Sequence, residues 1–445
     1  MVTSQHHTHS QTRGMLFALL TLVCLLTLSV TAPSQESTSA PANVNIFTQK
    51  YLLGDWGGLR TRLEEEKGVK FDFFYVSDML YAKDGRFRDG GTAWNRVRGT
   101  MDIDLGKLAG IQGLTFHVTG LWQGGPNLGA NYLGSISNPS GLVSARTEIL
   151  DSYWLAYAML DGKVTLRAGQ FASMDFYGLQ PYGGYYLLEP LNYGFQNRFN
   201  DYASFDPASG PGVQLVVNPY HFLYYNVAYT SGNRNPYKDD TNGFHFMKKD
   251  SGVLSNAVGI KFGQPGSGVA KEKYYPGQYE VGSTYNGGKF TNPFNPVPLY
   301  LSPDTGNYVV YFMGNQAVYR PKAASNTGLD VLFGISQSPN QTYNFVDRNI
   351  LAGLVYHGPI PQRPKDSVNF ALSYTHVSDK YKAAFALANP TAPPYSSEKA
   401  YEFNYLFQAT PYWLIQPTVQ WYQDVGGFSK YGTPVAAGFR TKVTF

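Results

Sequence analysis

The sequence predicts an all-β protein, a transmembrane antiparallel β-barrel of about sixteen strands with a short N-terminal periplasmic helix. Three observations carry that prediction. Apolar and polar residues alternate over segments that mostly reach the roughly 9 to 11 residues a tilted strand needs to cross a bilayer. The connections between these segments alternate between short turns and long loops. The final residues, FRTKVTF, set Phe439, Val443 and Phe445 on one face and Arg440, Lys442 and Thr444 on the other. A terminal amphipathic strand ending in Phe is the usual sorting signature of outer-membrane barrels.

Composition agrees. Aromatic residues make up 16% of the 445 and hydrophobic residues 43%, yet charged residues only 15%, well below the usual quarter of a soluble domain. The 47 glycines and 27 prolines favour turns, and the 35 tyrosines and 28 phenylalanines favour strands. With 35 basic and 31 acidic residues the net charge is +4; Met1 to Ala42 hold only Arg13 and Glu36, so the rest counts 34 against 30 and keeps the same +4. No basic field argues for nucleic acid. The single cysteine, Cys24, lies in the N-terminal apolar run, so the chain beyond it has no disulfide, thiolate nucleophile or cysteine metal site.

That run, MLFALLTLVCLLTLSV from Met15 to Val30, follows Arg13 and precedes small and polar residues, the layout of a signal peptide. It falls short of the roughly 20 residues of a spanning helix. Cleavage after Ala42 or Ala32 satisfies the small-residue rule, and a retained anchor is the alternative. The expected organisation is a removed signal peptide over 1–42, a periplasmic segment with a short helix over 43–69, and an outer-membrane barrel over 70–445. In GDWGGLRTRLEEEKG, Asp55 can cap the helix, Leu59 and Leu63 share a face, and Gly68 can end it.

From Lys70 the period becomes two. Phe71, Phe73, Tyr75, Met79 and Tyr81 alternate with Lys70, Asp72 and Asp78, and Val97, Met101, Ile103 and Leu105 alternate with Arg96, Arg98, Thr100, Asp102 and Asp104. Candidate strands are 70–81, 94–105, 112–124, 147–160, 163–173, 211–218, 222–231, 254–263, 277–287, 307–320, 327–337, 350–357, 367–378, 399–410, 413–424 and 435–445. Short turns stand at LGKLAGIQ, LDGK, NPYH and TPY, and long segments rich in Gly, Asn, Pro and Tyr at 125–146, 174–210, 232–253 and 379–398. Phe74, Tyr81, Tyr157, Tyr220, Tyr224, Tyr311 and Tyr412 suit interfacial girdles.

The segment LLGDWGGLRTRLEEEKGV, from Leu52 to Val69, resembles the N-terminal signature of the OprB-like carbohydrate-selective porins. LRAGQF (Leu166 to Phe171), YHGPIPQRPKDSV (Tyr356 to Val368) and AYEFNYLFQATPYWLIQPTVQWYQDVGG (Ala400 to Gly427) with the terminal strand are similar to that family in the same order. The chain departs from the family at Thr418 and Val425, where an Asp and a Pro-Gly-Gly are common. The resemblance implies a sixteen-stranded outer-membrane barrel that passes small sugars, sits among lipid and lipopolysaccharide, and assembles as a homotrimer.

A passive channel needs no nucleophile and no cofactor; pore width, charge and hydrogen-bonding groups set its selectivity. Sugars call for aromatic surfaces against their C–H faces and charged or amide groups for their hydroxyls. The alternation puts Trp94, Arg96, Arg98, Asp102, Glu148, Trp154 and Arg167 on the polar face as candidate pore-lining contacts, with His117, Arg146 and Asp104 beside them; the bland alternative is a solvated wall whose charges pair across strands. Glu189, Arg198 and Asp201, in the Tyr-rich segment from Asp175 to Pro207, are candidate constriction residues if that loop folds inward. His117, His221, His245, His357 and His376 show no metal-ligand spacing, and no catalytic motif appears. The rival functions are a small-anion or general porin and a secreted all-β carbohydrate-binding protein or hydrolase.

Overall fold

A computed structural model describes residues 45–445 except 145, 202, 233–250, 264–274, 291–303, 322–325 and 342–343. The expected leader and Cys24 lie outside the described residues, as does most of the expected loop 232–253.

Sixteen antiparallel strands close into one barrel in sequence order, with the last hydrogen-bonded to the first. They are β1 (Val69–Lys83), β2 (Gly90–Asp104), β3 (Leu114–Gly124), β4 (Thr147–Met159), β5 (Val164–Phe171), β6 (Gly210–Tyr220), β7 (Leu223–Ser231), β8 (Gly252–Phe262), β9 (Gly277–Phe290), β10 (Asp304–Tyr319), β11 (Gly328–Gln337), β12 (Val346–His357), β13 (Ser367–Val377), β14 (Glu398–Thr410), β15 (Trp413–Gln423) and β16 (Val435–Thr444). Every strand expected from the alternation is present, with ends shifted by a few residues. Among the described residues no helix is long and apolar enough to cross a membrane.

The pleat sends one row of each strand outward and the next inward. Leu155, Leu166, Val213, Val258, Val281, Phe312, Leu354 and Phe403 are exposed on the outward rows, as lipid contact requires. Tyr81, Tyr157 and Tyr220 join them near strand ends. Phe74, Tyr224 and Tyr311 depart from the girdle expectation: Phe74 shares parity with buried Val76 and Asp78, and the hydroxyls of Tyr224 and Tyr311 reach the carboxylate of inward Glu280. Tyr412 sits in the turn before β15 and is buried.

The N-terminal segment braces the barrel seam. Its helix, Leu59–Lys67, ends at Gly68 in the left-handed region (φ 69°), and Asp55 Oδ1 accepts from Thr61 N at 3.0 Å. The buried Arg60 guanidinium donates to the carbonyls of Phe445 (2.7 Å) and Phe71 (2.5 Å), tying helix, last residue and first strand together. The Tyr51 ring covers it 3.3 Å away. LGKLAGIQ, read as a turn, instead holds a short helix, Leu105–Ala109, because Asp104 caps the amides of Gly106 and Lys107. The long connection after β13 likewise carries a helix, Asp379–Ala388, capped by Ser378.

Candidate functional site

The functional region is built where the β5–β6 connection, residues 172–209, folds into the lumen instead of standing out from it. Tyr186, Leu187, Leu188, Leu191 and Phe195 are fully buried, packed against inward Leu332, Leu351, Val355, Ala371, Ala400 and Ala436. Glycine at two wall positions makes that contact fit: a Cβ at Gly353 would lie 2.8 Å from the Tyr186 hydroxyl, and one at Gly334 2.6 Å from the Phe195 ring. Hydrogen bonds complete the docking. Glu402 accepts from Leu187 N at 2.9 Å and Leu188 N at 2.7 Å, while Asn404 and Gln416 donate to the Tyr185 carbonyl at 2.9 and 2.7 Å.

The opposite wall, β2 to β5, carries most of the residues singled out from sequence. Register places Arg96, Arg98 and Asp102 on the inward row with His117, Trp154 and Arg167 across the neighbouring strands. Arg96 Nη1 and Arg98 Nη1 both reach Asp206 Oδ2 of the loop, at 3.2 and 2.5 Å, and Arg96 Nε donates to Gln123 at 2.9 Å. Burial pushes the Asp206 carboxyl up, but the two guanidinia outweigh it and leave it below the ordinary carboxylate value.

Beside this pair a stack spans β3, β4, β5 and the loop. His117 Nδ1 lies 2.6 Å from Asp102 Oδ1, and the His117 ring stacks on Trp154 with centroids 4.4 Å apart. The Arg167 guanidinium lies between Trp154 and Phe176, 4.3 Å from each ring, and donates to Gln214. His117 covers Trp154 and Arg167 lies over it, so this tryptophan acts as a spacer that holds a cation in place more than as an open stacking surface for a sugar.

Two wall candidates do not reach the open lumen. Trp94 is on the inward row but only 3% exposed, buried away from the lumen. Glu148 stands opposite outward Trp122, because the register slips by one residue between Thr119 and Gly120 and leaves Asp151 unpaired; that bulge reverses the faces of the strand above it.

The three loop candidates are internal braces. Glu189 accepts from Asn138 N and Nδ2 at 3.2 and 2.8 Å, and burial raises its carboxyl to about 7. Arg198 donates to the carbonyls of Tyr193 and Met174. Asp201 accepts from Ala203 N at 3.1 Å, and burial raises it to about 6. Among the loop residues that stay partly accessible are Asp175, Phe176, Tyr182 and Tyr185. Tyr185 meets the His357 ring edge-on at 5.1 Å, and Tyr182 donates to Asp330 at 3.1 Å. Sequence reasoning passed over these residues; the tyrosine density of the segment was their only signal. Among the described residues no cluster could hold a metal ion.

Comparison with known proteins gives consistent relatives. The family model described as "Carbohydrate-selective porin, OprB family" matches residues 89–445. The chain is 24% identical to Porin B of Pseudomonas aeruginosa, with 96% of this chain and 98% of that protein covered. It is 23% identical to the putative porin QuiX of Acinetobacter baylyi, over 89% and 93% of the two chains. Among solved structures, the high-pH form of Pseudomonas putida OprB superposes with a TM-score of 0.78 at 20% identity, covering 92% of this chain and all of the other. The low-pH form gives 0.56 at 17% identity, covering 89% and 99%.

Proposed function

The chain belongs to the OprB family of carbohydrate-selective porins, and from that premise we propose that small neutral sugars cross it past the open side of the Trp154–Arg167–Phe176 stack, which joins the β2–β5 wall to the inward loop. It is a passive channel of the outer membrane and not an enzyme. The observation that carries the proposed path is the inward loop, pinned to one wall by Glu402 and to the other by Arg96 and Arg98. It leaves a lumen lined by partly exposed Arg98, Asp102, His117, Trp154, Arg167 and Phe176. Guanidinium and carboxylate groups there match hydroxyls that both donate and accept.

Charge pairing favours sugars over anions. Among the described residues of this wall Arg96 and Arg98 share Asp206 and His117 faces Asp102, which tempers its pull on anions. Export as a precursor whose residues 1–42 are removed, contact with lipid and lipopolysaccharide, and a homotrimeric assembly complete the proposal. The test is planar-bilayer conductance of the purified chain in varied salts with a panel of mono- and disaccharides. Saturable block by sugars is expected; steps indifferent to sugar but steeply dependent on the anion would overturn the sugar path. N-terminal sequencing and the mass of the detergent-extracted complex test cleavage and assembly.

A further inference from the structure

Phe176 also borders a second space. The segment from Asp175 to Pro181 and the inner faces of β7 to β10 line an open pocket of about 430 Å³, within the range of small-molecule sites. Tyr224, Lys261 and Gln278 lie at the ends of their strands next to the short β6–β7 turn, which places the pocket in the periplasmic half of the lumen. Its frame is fixed by Glu280, which accepts from the Tyr224 and Tyr311 hydroxyls at 2.6 and 2.7 Å. Gln278 Nε2 donates to the Tyr224 oxygen at 3.1 Å, leaving the amide oxygen without a hydrogen bond among the described residues.

Two charges remain. The Asp175 carboxylate and the Lys261 ammonium both line the pocket, and neither makes a hydrogen bond or ion pair among the described residues. An anion would meet the Asp175 and Glu280 carboxylates and a cation the Lys261 ammonium, so an ion of either sign meets a like charge beside Asp175 and Lys261. A hydroxyl-rich neutral molecule satisfies both, because each hydroxyl can donate to the carboxylate or the Gln278 oxygen and accept from the ammonium. Phe176 and Met313 supply apolar surface for a C–H face.

We propose that this pocket is a second station for a neutral, hexose-sized sugar on the periplasmic side of the loop, separate from the Trp154–Arg167 stack. The proposal rests on the sugar-channel reading above. Its test is sugar block of salt current through the full-length channel, with glucose and maltose as probes, in wild type, Lys261→Met, Gln278→Leu and Asp175→Asn. Loss of a hydrogen bond to a charged group raises the half-blocking concentration about tenfold in the two charge variants, with a smaller rise in Gln278→Leu. Unchanged half-blocking concentrations in variants that still open in discrete steps, beside a wild type that sugars do block, would overturn the pocket alone. A wild type that no sugar blocks would overturn the channel reading itself. Glucuronate tests the charge argument: block tighter than glucose would overturn the neutral ligand.

Discussion

The two walls of the lumen use carboxylates in opposite directions. On β14 the carboxylates belong to the wall and the donors to the loops. Glu402 accepts from Leu187 N and Leu188 N, and Glu398 from Ile136 N, Ser137 N and Gly426 N at 2.7, 2.7 and 2.8 Å; both glutamates are fully buried. On β2 the guanidinia belong to the wall and the carboxylate, Asp206, to the loop, and the Arg98 side chain keeps 22% of its surface exposed. A wall charge saturated by backbone amides is scaffolding, because nothing of it is left for a solute. A wall charge held by one loop side chain and still partly open is where a permeating molecule meets an electric field.

The largest effect should come from breaking the scaffolding side. In Glu402→Ala the buried amides of Leu187 and Leu188 lose their acceptor, at about 1–3 kcal/mol for each unsatisfied donor. The loop is expected to leave the wall, raising single-channel conductance several-fold and weakening sugar block, whereas Glu402→Gln keeps an acceptor oxygen and shows less. Conductance unchanged in the alanine variant would mean that the packing of Tyr186, Leu188 and Leu191 alone holds the loop. Next in size is Asp206→Asn, which removes the negative partner of two guanidinia. A shift of about 1 kcal/mol toward anions, roughly fivefold in permeability ratio, is expected from reversal potentials in a salt gradient; a ratio moving toward cations would refute the assignment.

Acidity separates the carboxyls of the inward loop from one another. Burial, and then the nearby Asp206 charge, raise the Asp175 carboxyl to about 6, and burial raises Glu189 to about 7. A carboxyl whose pKa is higher folded than unfolded binds its proton more tightly in the folded barrel, so it favours folding at pH below its ordinary value and loses that contribution as pH rises through the folded value. Asp206 runs the other way, and its contribution persists until pH falls below the ordinary carboxylate range. Thermal unfolding in detergent should therefore occur at higher temperature at pH 5 than at pH 8. Glu189→Gln should flatten that dependence, and an undiminished slope would remove Glu189 from the account.

The strands were legible in the sequence because alternation has a fixed period and the lipid face tolerates few exceptions. The inward rows of β2 and β5 were legible for the same reason, which is why Arg98, Asp102 and Arg167 fall inside the lumen. Alternation fails where a residue is inserted, and a single bulge at Asp151 moved Glu148 to the outward row. It is also silent about loops. Nothing in the composition of 175–207 distinguishes a charge that braces the loop, such as Arg198, from one that faces the lumen, such as Asp175; only the backbone path decides which side chain is covered. Trp94 shows a third limit: facing inward is not the same as reaching the pore.

The smallest expected effect is the most specific to the open wall. If Trp154 acts by holding Arg167, then Trp154→Phe, which keeps an aromatic face of weaker cation affinity, should cost about 0.5 kcal/mol and roughly double the half-blocking sugar concentration, and Trp154→Ala should cost more. Arg167→Met removes the cation while leaving an unbranched side chain between the two rings, and should match or exceed Trp154→Ala. Block lost on removing Trp154 but kept on removing Arg167 would mean that the sugar reads the indole itself, and the stack would then be a stacking surface and not a mount for charge. The same substitutions should leave the conductance rise of Glu402→Ala untouched, because the spacer on β4 and the anchor on β14 belong to opposite walls and share no hydrogen-bond partner.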